Sequence, residues 1–221
     1  MSTNGPITVR IARAHRPAAA TSFTLTLQPG ATVLDALEQI RVTRDETLLY
    51  RHSCHHGSCG TCGMMINGEP RLACTTRADD PEIDLKPLPT MTPIGDLAVD
   101  PTPLFDGFPV PAAYIRESET NRDGQRPEQA DRWERFEDCI ECGLCVAACP
   151  VTQRFVGPAV LAGYNREIEN HPERENELLP QVDTDHGVWA CDRALRCSAV
   201  CPTGVYPARH ISILQRKIKK G

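Results

Sequence analysis

Eleven cysteines stand in a chain of 221 residues, and their spacing limits its chemistry more than any other feature. Four come early, as Cys54-x4-Cys59-x2-Cys62 and then Cys74. Seven come late in two runs, Cys139-x2-Cys142-x2-Cys145-x3-Cys149-Pro150 and Cys191-x2-Ala194-x2-Cys197-x3-Cys201-Pro202. The early set has plant-type 2Fe–2S spacing, and the late runs follow the C-x2-C-x2-C-x3-C-P form of cluster-binding sequences. Zinc is the ordinary reading of an isolated pair such as Cys59/Cys62, but closed tetrahedral sites seldom use three ligands at successive x2 spacing. Disulfides fit poorly with an odd cysteine count and no secretory signal. Haem attachment is excluded because no C-x2-C is followed by histidine.

The second late run carries alanine at its second ligand position. In a two-cluster arrangement each run gives three thiolates to its own cluster, and its fourth cysteine ligates the other. Cys139, Cys142, Cys145 and Cys201 then complete a 4Fe–4S cluster. Cys149, Cys191 and Cys197 are left with three thiolates, because Ala194 has no donor atom. That set suits a 3Fe–4S cluster, so the late runs read as an electron wire with unequal centres.

Around the early set, Gly57, Gly60 and Gly63 are expected to permit positive φ and close approach of backbone N–H groups to cluster sulfur. His55 and His56 follow the first ligand. Rieske ligation would need two histidines in place of two cysteines, and all four cysteines are present, so both read as solvated loop residues with some influence on the cluster potential. Met64-Met65-Ile66 reads as a short strand entering an Asn67-Gly68 hairpin turn, which returns Arg71-Leu72-Ala73-Cys74 to the loop.

The elements that must position these ligands are legible upstream. Ile7, Val9 and Ile11 alternate with polar residues, as do Phe23, Leu25 and Leu27, predicting two half-buried strands. Pro29-Gly30 ends the second. Thr32, with Asp35 three residues on, starts a helix whose apolar face is Val33, Leu34, Leu37 and Ile40. With the hairpin and a strand at Ile83-Asp84-Leu85 closing the sheet, this is a β-grasp pattern. The prolines at 87, 89, 93, 101, 103, 109 and 111 predict an irregular inter-domain crossing. Beyond it the signals are helical: Trp133 and Phe136 precede the first late run, and Pro158 suits the first position of a helix through Leu161 and Tyr164 to Ile168. Asn170 to Glu177 reads as a charged surface loop, and a last helix carries Ile211, Leu214 and Ile218 on one face. The fold class is α+β: a β-grasp 2Fe–2S ferredoxin-like domain over 1–104, then an all-α bacterial-ferredoxin-like domain over 105–221.

Aromatic residues are sparse at 5%, which suits a protein that folds partly around its metal centres. A net charge of −5 weighs against nucleic acid as a partner. From Arg193 onward every charged side chain is basic (Arg193, Arg196, Arg209, Arg216, Lys217, Lys219, Lys220), which suits either a helix end complementing its dipole or a surface facing an anionic membrane or partner. No stretch approaches the ~18 apolar residues of a membrane span, and Met1 to Arg16 has no apolar leader core. The expectation is a chain soluble by itself, in a reducing compartment. There is no G-x-G-x-x-G after a strand and no acid–base constellation, so any dicarboxylate chemistry needs a flavin-bearing partner.

The whole pattern resembles the iron–sulfur subunit of succinate dehydrogenase and fumarate reductase. The resemblance is carried by Arg51-His52-Ser53-Cys54, Cys59-Gly60-Thr61-Cys62, Met65-Ile66-Asn67-Gly68, Asp96-Leu97-Ala98-Val99-Asp100, Cys139-Ile140-Glu141-Cys142-Gly143, Cys201-Pro202 and Pro207-Ala208-Arg209. It implies a peripheral subunit on the cytoplasmic side of the membrane, between a flavoprotein with covalent FAD and membrane-anchor subunits that can carry haem. Electrons would pass between FAD and quinone through the three clusters in sequence. Two departures stand out. Family members commonly have Arg-Glu where this chain has His55-His56, and ubiquinone-reducing relatives place tryptophan and histidine near the 3Fe–4S site. Here Cys149-Pro150 leads into Val151-Thr152-Gln153-Arg154, which leaves menaquinone or another acceptor open. Pro150, Gln153 and Arg154 are the candidates for a quinone-side wall, Arg154 as a hydrogen-bond donor to a quinone carbonyl. A second reading is an iron–sulfur adapter of another flavoenzyme or of a heterodisulfide-reductase-type complex, whose members usually carry cysteine at the position of Ala194. A third is a zinc-stabilised binding module without redox function.

Overall fold

The computed structural model describes residues 5–13, 16–104, 107–109, 139–151 and 154–220, with the backbone alone at 16–19. The calls on Trp133, Phe136, Pro111 and Gln153 therefore lie outside the described residues. The chain divides into two compact units, 1–104 with 140–148 and 105–139 with 149–221.

In the first unit five strands form one sheet: β1 (Ile7–Arg13), β2 (Arg16–Leu25), β3 (Gly63–Ile66), β4 (Glu69–Leu72) and β5 (Glu82–Lys86), in the order β2-β1-β5-β3-β4. β1 pairs antiparallel with β2 (Ile7 opposite Leu25) and parallel with β5 (Val9 opposite Ile83), while β5 meets β3 antiparallel. The expected strand at Ile83-Asp84-Leu85 thus lies in the middle of the sheet and joins its two halves. The alternation in β1 buries Ile7, Val9 and Ile11 and leaves Arg10 exposed.

Thr32 caps α1 (Val33–Thr43) through a full capping box: its hydroxyl accepts from Asp35 N at 3.2 Å, and the Asp35 carboxylate accepts from Thr32 N at 2.7 Å. Such a cap stabilises a helix by about 1 kcal/mol. α1 buries Val33, Leu34, Ala36, Leu37 and Ile40. Its start is tied to the segment after β4 by Val33 N to Thr76 O at 2.8 Å and Leu34 N to Ala73 O at 3.0 Å. This aliphatic core, each Leu or Ile of which contributes roughly 1.5–3 kcal/mol by burial, needs few aromatic residues.

The proline-rich passage is less irregular than expected. It contains a second, two-stranded sheet of β6 (Thr92–Gly95) and β7 (Ala98–Asp100), followed by a 3-10 turn at Thr102–Leu104. With only two strands, both are edges, where a residue lacking N–H such as Pro93 is tolerated. Asp96, at the tip of this hairpin, is buried and accepts from Leu49 N at 2.9 Å. Its other oxygen lies 3.1 Å from Nε of the buried Arg13, without the alignment of a hydrogen bond, while Arg13 Nη1 reaches Asp45 at 2.6 Å.

The second unit is helical among its described residues: α3 (Pro158–Asn170), α4 (Glu175–Val182), α5 (Arg196–Ala199) and α6 (Pro207–Ile218), with 3-10 turns at Pro172–Arg174 and Val188–Ala190. The four-residue α2 (Leu144–Ala147) belongs to the first unit. Pro158 occupies the first turn of α3 as predicted. Leu161, Tyr164 and Ile168 of α3 pack with Leu178, Val182, Val188, Ile211 and Leu214. Asn170 to Glu177 is not a loop: it spans the end of α3, the 3-10 turn and the start of α4. Its charges explain the difference, because Arg174 pairs with Glu167 on α3 and, at 3.0 Å, with Glu177 on α4.

Candidate metal centres

None of the eleven cysteines is in a disulfide. In the first unit the loop between α1 and β3 turns the backbone inward on the first ligand. Ser58 N and Cys59 N donate to Cys54 Sγ at 3.2 and 3.3 Å, and Cys54 N donates to Cys59 Sγ at 3.5 Å. The His56 N–H, then the Cys59 thiol and the N–H groups of Cys59 and Ser58, lower the Cys54 pKa to about 6. On the other side, β3 and β4 pair around Asn67 (φ 51) and Gly68 (φ 82), the predicted hairpin turn. Ala73 N then donates to Cys62 O at 3.1 Å, which brings Cys74 beside Cys62. Burial pushes the Cys62 pKa up to about 12, and the neighbouring thiols of Cys74 and Cys59 add to the rise. The loop thus gathers the four predicted thiols, of which Cys54 ionises more readily than Cys62. This donor set, with N–H groups aimed at sulfur, fits a 2Fe–2S cluster.

Of the three glycines expected to turn this loop, Gly57 and Gly60 have positive φ (82° and 71°) and Gly63 does not. Gly63 begins β3 and serves by its size. A Cβ there would stand 3.0 Å from Cys142 O and 3.3 Å from Leu144 Cδ2. At Gly60 a Cβ would stand 2.2 Å from Ile140 O and 3.0 Å from Cys142 Cβ. The segment carrying Cys142 and Cys145 is therefore pressed against the cysteine loop, within the first unit.

Within the second unit, Cys139 and Cys201 both pack against Ala162 and Val205, and Val205 N donates to Cys201 Sγ at 3.3 Å. Cys149, Cys191 and Cys197 form a second group. Burial raises the pKa of both Cys149 and Cys197, and each is raised further by the Cys191 thiol beside it. Three thiols together, with alanine where a fourth would come, fit a three-iron cluster better than a four-iron one.

The two late runs share one local backbone. Residues two and four after the first cysteine are left-handed in both: Glu141 (φ 55) and Gly143 (φ 73), Arg193 (φ 62) and Leu195 (φ 60). A four-residue helix then begins at the fifth, Leu144 or Arg196.

Of the candidates for a quinone-side wall, Pro150 and Arg154 are exposed, and Arg154 is left-handed at φ 51. The basic C-terminal segment is partly engaged within its own unit: Lys217 pairs with Glu175 at 2.5 Å, Arg193 donates to Gln215 at 3.0 Å, and Lys219 lies over the Trp189 ring. His55 and His56 are exposed as expected, yet neither is idle. His56 Nδ1 bonds Cys54 O, and His55 meets His52 and Glu38. The sequence reading takes His52 only as part of the motif Arg51-His52-Ser53-Cys54 and misses its pairing with His55, although the H-x2-H spacing was the available signal.

Among the described residues no helix is long and apolar enough to cross a membrane. Residues 8–106 match the family described as "2Fe-2S iron-sulfur cluster binding domain", and residues 135–205 match "4Fe-4S dicluster domain". The chain is 36% identical to the fumarate reductase iron-sulfur subunit of Escherichia coli over 192 residues, covering 81% of this chain and 78% of that one. It is 37% identical to the corresponding subunit of Wolinella succinogenes, covering 86% and 85%. A solved chain of the Mycobacterium smegmatis Sdh1 complex superposes with a TM-score of 0.78 at 24% identity, covering 99% of this chain and 97% of that one, and shows the same fold.

Proposed function

The chain belongs to the family of fumarate reductase iron–sulfur subunits, and from that premise we propose that it is the electron-transfer subunit of a quinone-linked succinate dehydrogenase/fumarate reductase. The dicarboxylate chemistry of such an oxidoreductase resides on a partner flavoprotein. When bound, the 2Fe–2S, 4Fe–4S and 3Fe–4S clusters supply one-electron steps between FAD on that partner and quinone at the membrane anchor. Cys54, Cys59, Cys62 and Cys74 of domain 1–104 hold the first. Cys139, Cys142, Cys145 and Cys201 hold the second, and Cys149, Cys191 and Cys197 the third. The observation that carries the reading is the packing of Cys142 against Gly60, which leaves no spacer between the loop of the first centre and a ligand of the second.

The chain's own groups have defined tasks. The N–H groups of His56, Ser58 and Cys59 stabilise negative charge at Cys54 sulfur. The exposed Arg154, five residues after Cys149 of the third thiol set, donates to a quinone carbonyl, with Pro150 and Gln153 as the other candidates for the quinone-side wall. The stretch after Cys149-Pro150 does not carry the tryptophan and histidine of ubiquinone-reducing relatives, which leaves menaquinone or another acceptor open. The subunit sits peripherally on the cytoplasmic side of the membrane, and haem, where present, belongs to the anchor.

The test is redox titration of the chain assembled with its flavoprotein and anchor, followed by paramagnetic resonance. The expected result is about nine iron atoms per chain, a three-iron signal in the oxidised protein, and reduction of the clusters by succinate. Zinc as the main metal after anaerobic purification would overturn the reading. Arg154→Ala should lower quinone turnover while leaving a soluble dye acceptor unaffected; equal activity with both acceptors removes Arg154 from the site.

A further inference from the structure

We propose that Glu38, His52 and His55 form a divalent transition-metal site, with zinc the preferred ion, beside the early cysteine loop. His52 Nδ1 lies 3.2 Å from His55 Nε2, and Glu38 Oε1 lies 3.7 Å from the first and 3.5 Å from the second. A tetrahedral zinc with bonds of about 2.0–2.1 Å holds neighbouring N and O ligands about 3.3–3.4 Å apart. The three sides of this triangle bracket that spacing, so an ion enters with shifts of a few tenths of an ångström. Hydrogen bonding accounts for only one side, because the two Glu38 distances are at or beyond its limit.

The donors come from separate elements and are held in place. Glu38 projects from α1, whose capping box fixes its start. The His52 ring packs on Tyr50 at 5.2 Å and meets the His55 ring edge-on at 5.3 Å. His55 keeps a left-handed backbone, φ 62, which costs a residue with a side chain roughly 1–2 kcal/mol. Two imidazoles and a carboxylate form a borderline donor set that suits zinc. Side-chain exposures of 35%, 25% and 45% leave room for water as the fourth ligand. The two histidines flank Cys54, so a bound dication would favour the reduced form of the cluster there. That consequence alone rests on the cluster reading above.

The test uses the complete, cluster-loaded chain titrated anaerobically with zinc chloride. Zinc-edge absorption should show one ion per chain with N/O neighbours at about 2.0–2.1 Å and no sulfur. Glu38→Gln and His55→Asn should each weaken binding about tenfold or more with iron content unchanged, since even supporting residues around a metal matter that much. Zinc should also raise the 2Fe–2S midpoint in the parent protein, and less in Glu38→Gln at the same concentration. No binding, binding equal in the variants, or sulfur neighbours at about 2.3 Å overturns the site, the last because zinc would then occupy cysteine positions. Zinc bound through N/O donors with no change in the midpoint places the ion elsewhere and overturns it too. If the chain holds no 2Fe–2S cluster, the zinc-edge result and the variants still decide.

Discussion

At the fourth residue after its first cysteine, one late run has Gly143 with φ 73 and the other has Leu195 with φ 60. A Cβ on Gly143 would stand 1.9 Å from Met91 Cε, whereas Leu195 is 61% exposed. Two residues earlier the pair is Glu141 and Arg193, and between them lie Cys142 and Ala194. A single backbone form has thus been fitted to opposite surroundings. Residues 140–148 of the first run are packed within the first unit and use small residues where they touch; the second run carries a bulky side chain in the same strained conformation. The two runs keep one local conformation, and side-chain size follows the neighbours.

Gly60→Ala strikes the contact that distinguishes the first run. The new Cβ would collide with a backbone carbonyl and force a left-handed alanine, costing about 3 kcal/mol or more. Thermal unfolding of the loaded protein should fall by roughly 6–12 °C, and an unchanged midpoint would mean that Ile140–Ala148 is not seated on the loop. The ligand difference can be exchanged between the runs. Ala194→Cys should add about one iron and abolish the three-iron signal, and Cys142→Ala should remove about one iron and create a second three-iron signal. Persistence of the original signal in Ala194→Cys would refute the grouping of Cys149, Cys191 and Cys197.

Thiol reactivity sets the first ligand of the early loop apart from a second ligand of that loop and from two ligands of the late runs. In chelator-stripped protein at pH 7, alkylation should label Cys54 well before Cys62, Cys149 or Cys197, because the thiolate reacts and only the first pKa is lowered. Labelling of Cys54 should slow as pH falls through about 6 and its thiolate is protonated. Uniform labelling at pH 7 would remove the distinction. The smallest effect is expected from Leu195→Gly. Relief of the left-handed strain is offset by unfolded-chain entropy, so unfolding should shift by no more than about 1 kcal/mol. A large loss would show that Leu195 supports the second run.

Much of this was legible because the signals were local. Thr32 with Asp35 announced α1, Asn67-Gly68 announced the hairpin, and the cysteine spacings announced both domain types. What was missed depends on neighbours distant in sequence. That Ile140–Ala148 packs with the first unit follows from the lack of side chains at Gly60 and Gly63, which the sequence also permits for turning alone. The helical character of Asn170 to Glu177 depends on Arg174 reaching two glutamates on different helices. The β6–β7 hairpin was hidden by prolines that are unfavourable only in a sheet interior. The Glu38–His52–His55 triangle joins a helix to a loop, and no spacing rule connects them.

The position of β5 has a consequence for synthesis. The ribosome delivers β1 first and β5 some seventy residues later, yet β5 lies between β1 and β3 and is hydrogen-bonded to both. Until Lys86 has emerged, the two hairpins have no common strand. The loop thiols Cys54, Cys59, Cys62 and Cys74 are already outside the exit tunnel by then. Long-range parallel pairing of this kind is slow to form and leaves strand edges open meanwhile. Metal delivered before Lys86 has emerged would meet a loop with no sheet behind it, so insertion of the first cluster belongs after that point, and reactive thiols must be shielded until then.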